Sequence, residues 1–390
     1  MTDPRSNEEP SRPRLATVAG QWGRIGCIGF GGPPTHIALL RELCVARRRW
    51  LSAGEFEDGI AVCNLLPGPA STQLAIFCAW RVAGAAGALV GGLAFIVPGL
   101  VAILALSSLF LATSPPTWVL GAAAGAGAAV AAVAVSAGAG LVPASWQRFS
   151  APHWRWIAYA VVGGAAAASA GPWLVVVILG CGLVETGWRS FGRHHHLGLH
   201  LGPFALAGVL PAAGGLLSLA WVAIKVGALS YGGGFVIVPL MQHDAVDRYH
   251  WMTGSQFLSA VALGQVTPGP VVHTVAVVGY AAAGVAGGLL AALVAFSPSF
   301  LFVVLGGRHF DSLRRNANVR AFLHGAGPAA NGAIIGVAIP LALALQEPWQ
   351  IGVLAAAALL LFAFRRGVVM TLLLAAAAGL VAALFGAPLP

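Results

Sequence analysis

Two basic side chains, Arg24 and Lys225, lie 201 residues apart (225 minus 24), and each stands seven residues ahead of a Gly-Gly pair, at Gly31-Gly32 and Gly232-Gly233. Asn64 and Gln265 keep the same offset, each just ahead of a Pro-Gly-Pro tripeptide, Pro67-Gly68-Pro69 and Pro268-Gly269-Pro270. All of these residues are embedded in apolar sequence, where a charge is expensive and usually lines a pathway with a partner. Two equivalent cations suit a divalent anion. Arg24 adds a bidentate fork, which the point charge of Lys225 lacks. Either side chain could instead snorkel to the interface.

The glycines and prolines define four breaks in apolar segments: Gly29 to Pro34, Pro67 to Pro69, Ser230 to Gly234 and Pro268 to Pro270. In lipid an unpaired backbone group costs several kcal/mol, so irregular backbone persists only inside protein or against a wet cavity. Each break is followed by a run that can restart as a helix, with Pro33, Pro34, Pro69 or Pro270 near the first turn, where proline is tolerated. A helix start offers free N–H groups and about half a positive charge, which is a site for an anion. Gly29, Gly31, Gly32, Gly68, Gly232, Gly233, Gly234 and Gly269 would let a ligand approach the backbone. Ser71, Thr72 and Thr274 would add hydroxyl donors, while Asn64 and Gln265 would bond a substrate or make a structural amide contact. Glu55 and Asp58 are candidates for a coupling proton if buried, and otherwise form a solvated hairpin base. His36 and His273 would bind anion or proton, or serve as packing residues. The tract His194 to His196 with His200 resembles a metal site but has no paired Cys or acidic ligand, so it is read as a solvated loop with no metal.

These residues must be held by membrane helices. Of 390 residues 58% are hydrophobic and 8% charged, with a mean hydropathy of +0.85, and runs such as Gly84 to Ala112, Trp118 to Val142 and Gly367 to Phe385 can cross a hydrocarbon layer. The fold class is therefore an all-α polytopic membrane protein. No removable signal is expected at the N-terminus. The net charge of +9 comes mainly from arginines between apolar runs, so the lipid bilayer is the expected partner and nucleic acid is not. Cys27, Cys44, Cys63, Cys78 and Cys181 have no CxxC spacing and are read as small core residues. No HExxH or GxSxG motif is present, so no enzyme and no cofactor are expected.

The chain also repeats itself. Residues 24–73 overlay 225–274 with twelve identities and no gap, and with the offset shortened by one, Gly84, Gly87 and Pro98 match Gly284, Gly287 and Pro298. Residues 41–50 carry four arginines, while the counterpart 242–251 has one arginine and two aspartates; the uncharged stretch 107–118 faces a counterpart, 308–320, with four arginines. The positive-inside rule then puts equivalent loops on opposite sides, which makes two inverted-topology repeats with re-entrant or broken helices. Three apolar pieces, 55–66, 70–82 and 84–107, lie between opposite-side loops. The first two are too short to span, so they predict a re-entrant hairpin with Pro67-Gly68-Pro69 at its tip. The side of the N-terminus stays open, as does the number of passes in 201–240. The expected division is a tail at 1–14, a first repeat at 15–184, a cytoplasmic linker at 185–203 and a second repeat at 204–390.

At GFGGP, the two PGP tips and their repetition, the sequence resembles the chromate ion transporter family, long-chain type, from about Leu15 to Phe385. The resemblance implies a multi-pass carrier of the bacterial inner membrane that exports chromate, driven by the proton gradient, with sulfate as isosteric competitor. The alternative is an importer or exchanger of sulfate-like oxyanions. The family pattern falls on Arg24, Gly29 to Pro33 and Asn64 to Pro69, and again on Lys225, Gly232 to Gly234 and Gln265 to Pro270. The second copy reads SYGGG and lacks the proline of GFGGP. Self-association into a homodimer is left open.

Overall fold

The computed structural model describes residues 13–64, 66, 68–169, 173–190, 215–230, 235–306 and 316–390. The described residues are helical with no strand. The first repeat contains α1 (Leu15–Ile28), α2 (Pro33–Arg41), α3 (Ala53–Cys63), α4 (Ala70–Phe110), α5 (Thr117–Arg148), α6 (His153–Ser169) and α7 (Leu174–Ser190). The second contains α8 (Leu216–Leu229), α9 (Val238–Gln242), α10 (Gly254–Val266), α11 (Thr274–Gly306), α12 (Ala317–Gly336), α13 (Ala338–Leu343), α14 (Pro348–Ala358) and α15 (Val368–Leu384).

As one straight rod, the 41 residues of α4 would reach about 60 Å, twice a hydrocarbon core. They do not run straight. Ala83 and Gly84 leave helical geometry, and Gly84 sits at φ 66°, a conformation that glycine alone adopts without steric cost. The chain folds back so closely there that side chains at Gly91 and Gly92 would press on Ala79 and Ile76. In the second repeat Ala283 and Gly284 (φ 62°) do the same, bringing Gly287 against Gly279. Each long helix is thus a short arm, 70–82 or 274–282, followed by a spanning arm, 85–110 or 285–306.

The short arm of α4 pairs antiparallel with α3: Glu55 meets Arg81, and Phe77 covers Gly59. This is the re-entrant hairpin read from crossing parity. A second hairpin precedes it. The chain after α2 continues as a π-helix over Glu42–Arg47 and returns alongside α1, where Trp50 stacks on Trp22 at 6.1 Å between ring centroids. A helix continuing outward from Gly32 would have carried Trp50 tens of ångströms away. Hence α1 begins on the same side as the arginine-rich stretch, a point the sequence left open.

The inversion is visible where the spanning arms cross. Gly92 lies against Phe300 while Gly288 lies against Leu104, so the register runs in opposite directions along the two arms and equivalent helices are antiparallel. Apolar side chains on their outer faces recur at steps of four, Leu89, Leu93, Val97 and Val101, and at steps of four and eight, Leu289, Leu293, Leu301 and Leu305, and all are exposed. Such stripes belong against lipid.

The repeats interlock. α5 packs on α14 and α15 of the other half, and α12 on α6 and α7. Gly121 and Gly125 meet Gly379 and Ala375, and Gly332 meets Ala160, so the Gly-Ala texture of 121–140 is scaffold that lets backbones touch. The expected linker is shortened, because Glu185 through Ser190 continue α7; helical hydrogen bonding and the burial of Glu185 hold the segment in the protein. The His194 to His196 tract and the passage into α8 lie outside the described residues. None of the five cysteines forms a disulfide; Cys27 is exposed and the other four are buried. Gly332→Leu is expected to abolish recovery of monodisperse protein from membranes, because its side chain would collide with the Ala160 carbonyl; size-exclusion chromatography after detergent extraction checks it.

Candidate functional site

The site is built from helix starts. α3 and α10, which begin at the surface, close their first turns with capping boxes, Ser52 with Glu55 and Thr253 with Gln256. The starts at the breaks carry no side-chain cap: Gly32 ahead of α2, Pro69 ahead of α4, and Pro270 ahead of the 3-10 turn Val271–His273 that leads into α11. Their first-turn N–H groups have no partner within the helix.

These starts converge. The Gly269 N–H donates to the Gly29 carbonyl at 3.0 Å, joining the PGP tip of the second repeat to the GFGGP break of the first. The same carbonyl accepts from Nε2 of His36 at 2.9 Å. With its proton on Nε2, the neutral His36 ring accepts at Nδ1 from the Ser71 hydroxyl, 3.2 Å away, so α2 and α4 are tied at their first turns. A side chain on Gly32 would reach Val271 at 3.9 Å, and one on Gly68 would reach the Gly227 carbonyl at 3.4 Å. Each PGP tip therefore packs against the first hairpin of the opposite repeat. His36 sits edge-on to Phe95 and His273 edge-on to Phe296, residues near the middle of the spanning arms. The meeting point is halfway through the molecule.

Polar groups without partners gather there. Among the described residues, Thr72 Oγ1, Ser230 Oγ, Gln265 Nε2, Ser299 Oγ and both ring nitrogens of His273 are buried with no hydrogen-bond partner. Thr72, Gln265 and His273 lie three residues from a PGP tip, Ser230 begins a break, and Ser299 occupies the repeat position of Gly99. The Ile96 carbonyl is near the His273 ring but outside hydrogen-bond geometry. A buried polar atom left unpaired costs about 1–3 kcal/mol, so their concentration marks a place completed by something polar. An amide nitrogen such as Gln265 Nε2 can only donate, which calls for an acceptor.

Other expected residues are distributed unevenly. Gly29, Gly32, Gly68, Pro69, Ser71, Thr72, Gln265, Gly269, Pro270, His273 and Thr274 are buried at the convergence, with Asn64 and Pro268 half-buried beside it. Gly31 is exposed. The Thr274 hydroxyl donates to the Val271 carbonyl at 2.9 Å and is engaged. Pro67, Gly232, Gly233 and Gly234 lie outside the described residues. Arg24 is exposed and has no ion-pair partner among the described residues. Lys225 is half-buried and bonded to Asp244 Oδ2 at 2.5 Å, so the two equivalent cations are not alike. Glu55 caps α3 and binds Arg81, and Asp58 is exposed; the fully buried titratable group at the breaks beside His36 is His273. Sequence reasoning missed Gly99, whose absent side chain makes room for the Pro268 carbonyl and the His273 ring. The offset that matched Pro98 to Pro298 paired Gly99 with Ser299 and was the available signal.

A polytopic helical protein of two inverted repeats, with discontinuous helices meeting at mid-depth, has the construction of a secondary transporter. The chain matches the family model described as Chromate transporter in two stretches, residues 16–186 and 217–380. It belongs to the chromate transporter family. It is 33% identical over 333 residues to a chromate transport protein of Cupriavidus metallidurans, covering 82% of this chain and 80% of the relative. It is 29% identical over 372 residues to a chromate transport protein of Pseudomonas aeruginosa, covering 88% of each. A probable chromate transport protein of Synechococcus elongatus is 28% identical over 323 residues, 82% of each chain. No solved structure matches.

Proposed function

We propose that this protein exports chromate from a bacterial cell across the inner membrane as a proton-coupled secondary carrier, working by alternating access around the meeting point of its breaks. The observation that carries the reading is the Gly269 to Gly29 hydrogen bond, because it draws uncapped helix starts of both repeats to one place. Three such starts, each with about half a positive charge, together with the unpartnered donors of Thr72, Gln265 and His273, suit an oxyanion in a dry site.

Radiolabelled chromate flux in proteoliposomes at controlled internal and external pH tests the reading, with sulfate as competitor. Accumulation in vesicles of everted orientation that follows the proton gradient supports it. Gradient-independent accumulation would remove the coupling, sulfate accumulation in the opposite direction would favour the importer, and single-channel currents would replace the carrier by a channel. Arg24→Ala is expected to lower chromate flux about tenfold to a hundredfold, the worth of one charge-assisted hydrogen bond, with normal insertion because Arg24 is exposed and holds no ion-pair partner among the described residues. Normal flux by that variant would take Arg24 out of the pathway.

A further inference from the structure

From the ion pair between Lys225 and Asp244 we infer that Asp244 is the proton-coupling carboxylate, an internal anion that yields Lys225 to the substrate and takes up a proton when displaced. The inference rests on reading the chain as an oxyanion carrier.

The pair joins the two arms of the first hairpin of repeat two, Lys225 on α8 and Asp244 on the π-helical turn His243–Arg248. Lys225 stands two residues ahead of Gly227, against which the Gly68 tip packs. Its ammonium turns back over Trp221, 5.9 Å from the ring centroid, and the side chains of Lys225 and Asp244 are only 13% and 3% exposed. π-helical turns are rare and are frequent at functional sites.

Internal symmetry makes the pair informative. The positions equivalent to Lys225 and Asp244 are Arg24 and Leu43, so repeat one keeps the cation and lacks the acid. An ion pair needed only to hold the hairpin would be wanted in both copies. Around Asp244, helices α8, α9 and α10 bring one charged side chain, Lys225. On its own turn, His243 and Asp247 approach each other at 3.4 Å and are 34% and 62% exposed, and Arg248 is exposed over the Tyr249 ring. Lys225 is thus the counter-ion of Asp244.

An oxyanion arriving at Lys225 replaces one negative partner with another, so the lysine stays neutralised. The displaced carboxylate is then buried without a cation, and burial favours its protonated form. One O–H bond forms on Asp244 with a proton from water, and it is lost when the carboxylate returns to Lys225. Anion and proton then bind and leave together, so the dianion travels with one proton and its exit moves one net negative charge down the membrane potential, without any change at Glu55, Asp58 or His36.

Full-length protein in proteoliposomes provides the test, comparing chromate counterflow at equal pH with accumulation driven by a pH gradient. Asp244→Asn is expected to keep counterflow within about threefold and to lose gradient-driven accumulation by about tenfold or more, while Asp244→Glu keeps both. Gradient-driven accumulation by Asp244→Asn at the wild-type level overturns the inference. If that variant fails to insert, the wild type decides: sulfate added to purified protein in weakly buffered detergent solution should take up about one proton per anion bound, and no uptake overturns it. Absence of counterflow in the wild type would instead overturn the carrier reading beneath it.

Discussion

Gly99→Val is expected to abolish chromate flux, by about a hundredfold or more, in protein that still inserts. The spanning arm of α4 carries Gly99 past the second PGP tip so closely that any side chain there runs into the Pro268 carbonyl and meets the His273 ring at 2.8 Å. The tip cannot bend around it, because Gly269 is held to Gly29 by a hydrogen bond and His273 is hemmed in by Phe296. It must shift, and a misplacement of about 1 Å at a positioned site costs on the order of a hundredfold. Insertion rests on the outer stripe of Leu89, Leu93, Val97 and Val101 and on the crossing at Gly92, which the change leaves alone. Initial rates of radiolabelled chromate uptake, normalised to reconstituted protein, measure the effect. Wild-type rates would show that the tip is not part of the pathway. Gly99→Ser, which copies Ser299 of the other half, should be less severe than Gly99→Val.

The largest loss of stability is expected at Glu185. Its carboxylate is fully buried and satisfied by three groups: the Arg155 guanidinium and the Tyr159 hydroxyl (3.0 Å) on Oε2, and Arg189 Nε on Oε1 at 2.8 Å. Arg155 is itself 7% exposed and lies over the Trp188 ring at 4.8 Å. Truncating the acid leaves that guanidinium buried without a counter-ion, so Glu185→Ala should cost about 3–5 kcal/mol. Thermal unfolding of detergent-purified protein reads it out. The same physics predicts rescue, because replacing both charges removes the penalty as well as the attraction. Glu185→Leu with Arg155→Leu should unfold near the wild-type temperature, and a double variant as unstable as Glu185→Ala would mean that packing around α12, not charge, sets the cost.

The cluster also shows where local reading stops. Glu185 sits in a stretch, ETGWRSFGRHHH, whose polar composition reads as linker. It becomes a helix end because Arg155, thirty residues earlier, and Gly325 of the other repeat close around it. Asp244 was legible only as one charge that made a loop less basic than its counterpart, although the cost of a buried Lys225 already called for a partner. His36 and His273 stood as similar candidates, yet His36 has both nitrogens engaged and His273 has neither. Nothing in their immediate neighbours in sequence distinguishes them.

The sequence by itself determined that this is a membrane protein of helices, that it is doubled, that the copies are inverted, and where its helices break. Hydropathy, arginine placement and the backbone limits of glycine and proline act along the chain, so they can be read without knowing what lies across it. Only the tertiary structure decided which break meets which. The PGP tip of one repeat binds the first hairpin of the other, Gly99 makes room for it, and Lys225 finds Asp244 while Arg24 finds no acid among the described residues. Those outcomes depend on the packing of segments as much as 240 residues apart (269 minus 29), where a hydrogen bond or a missing methyl group is fixed by distance in space and leaves no mark on neighbouring residues in sequence.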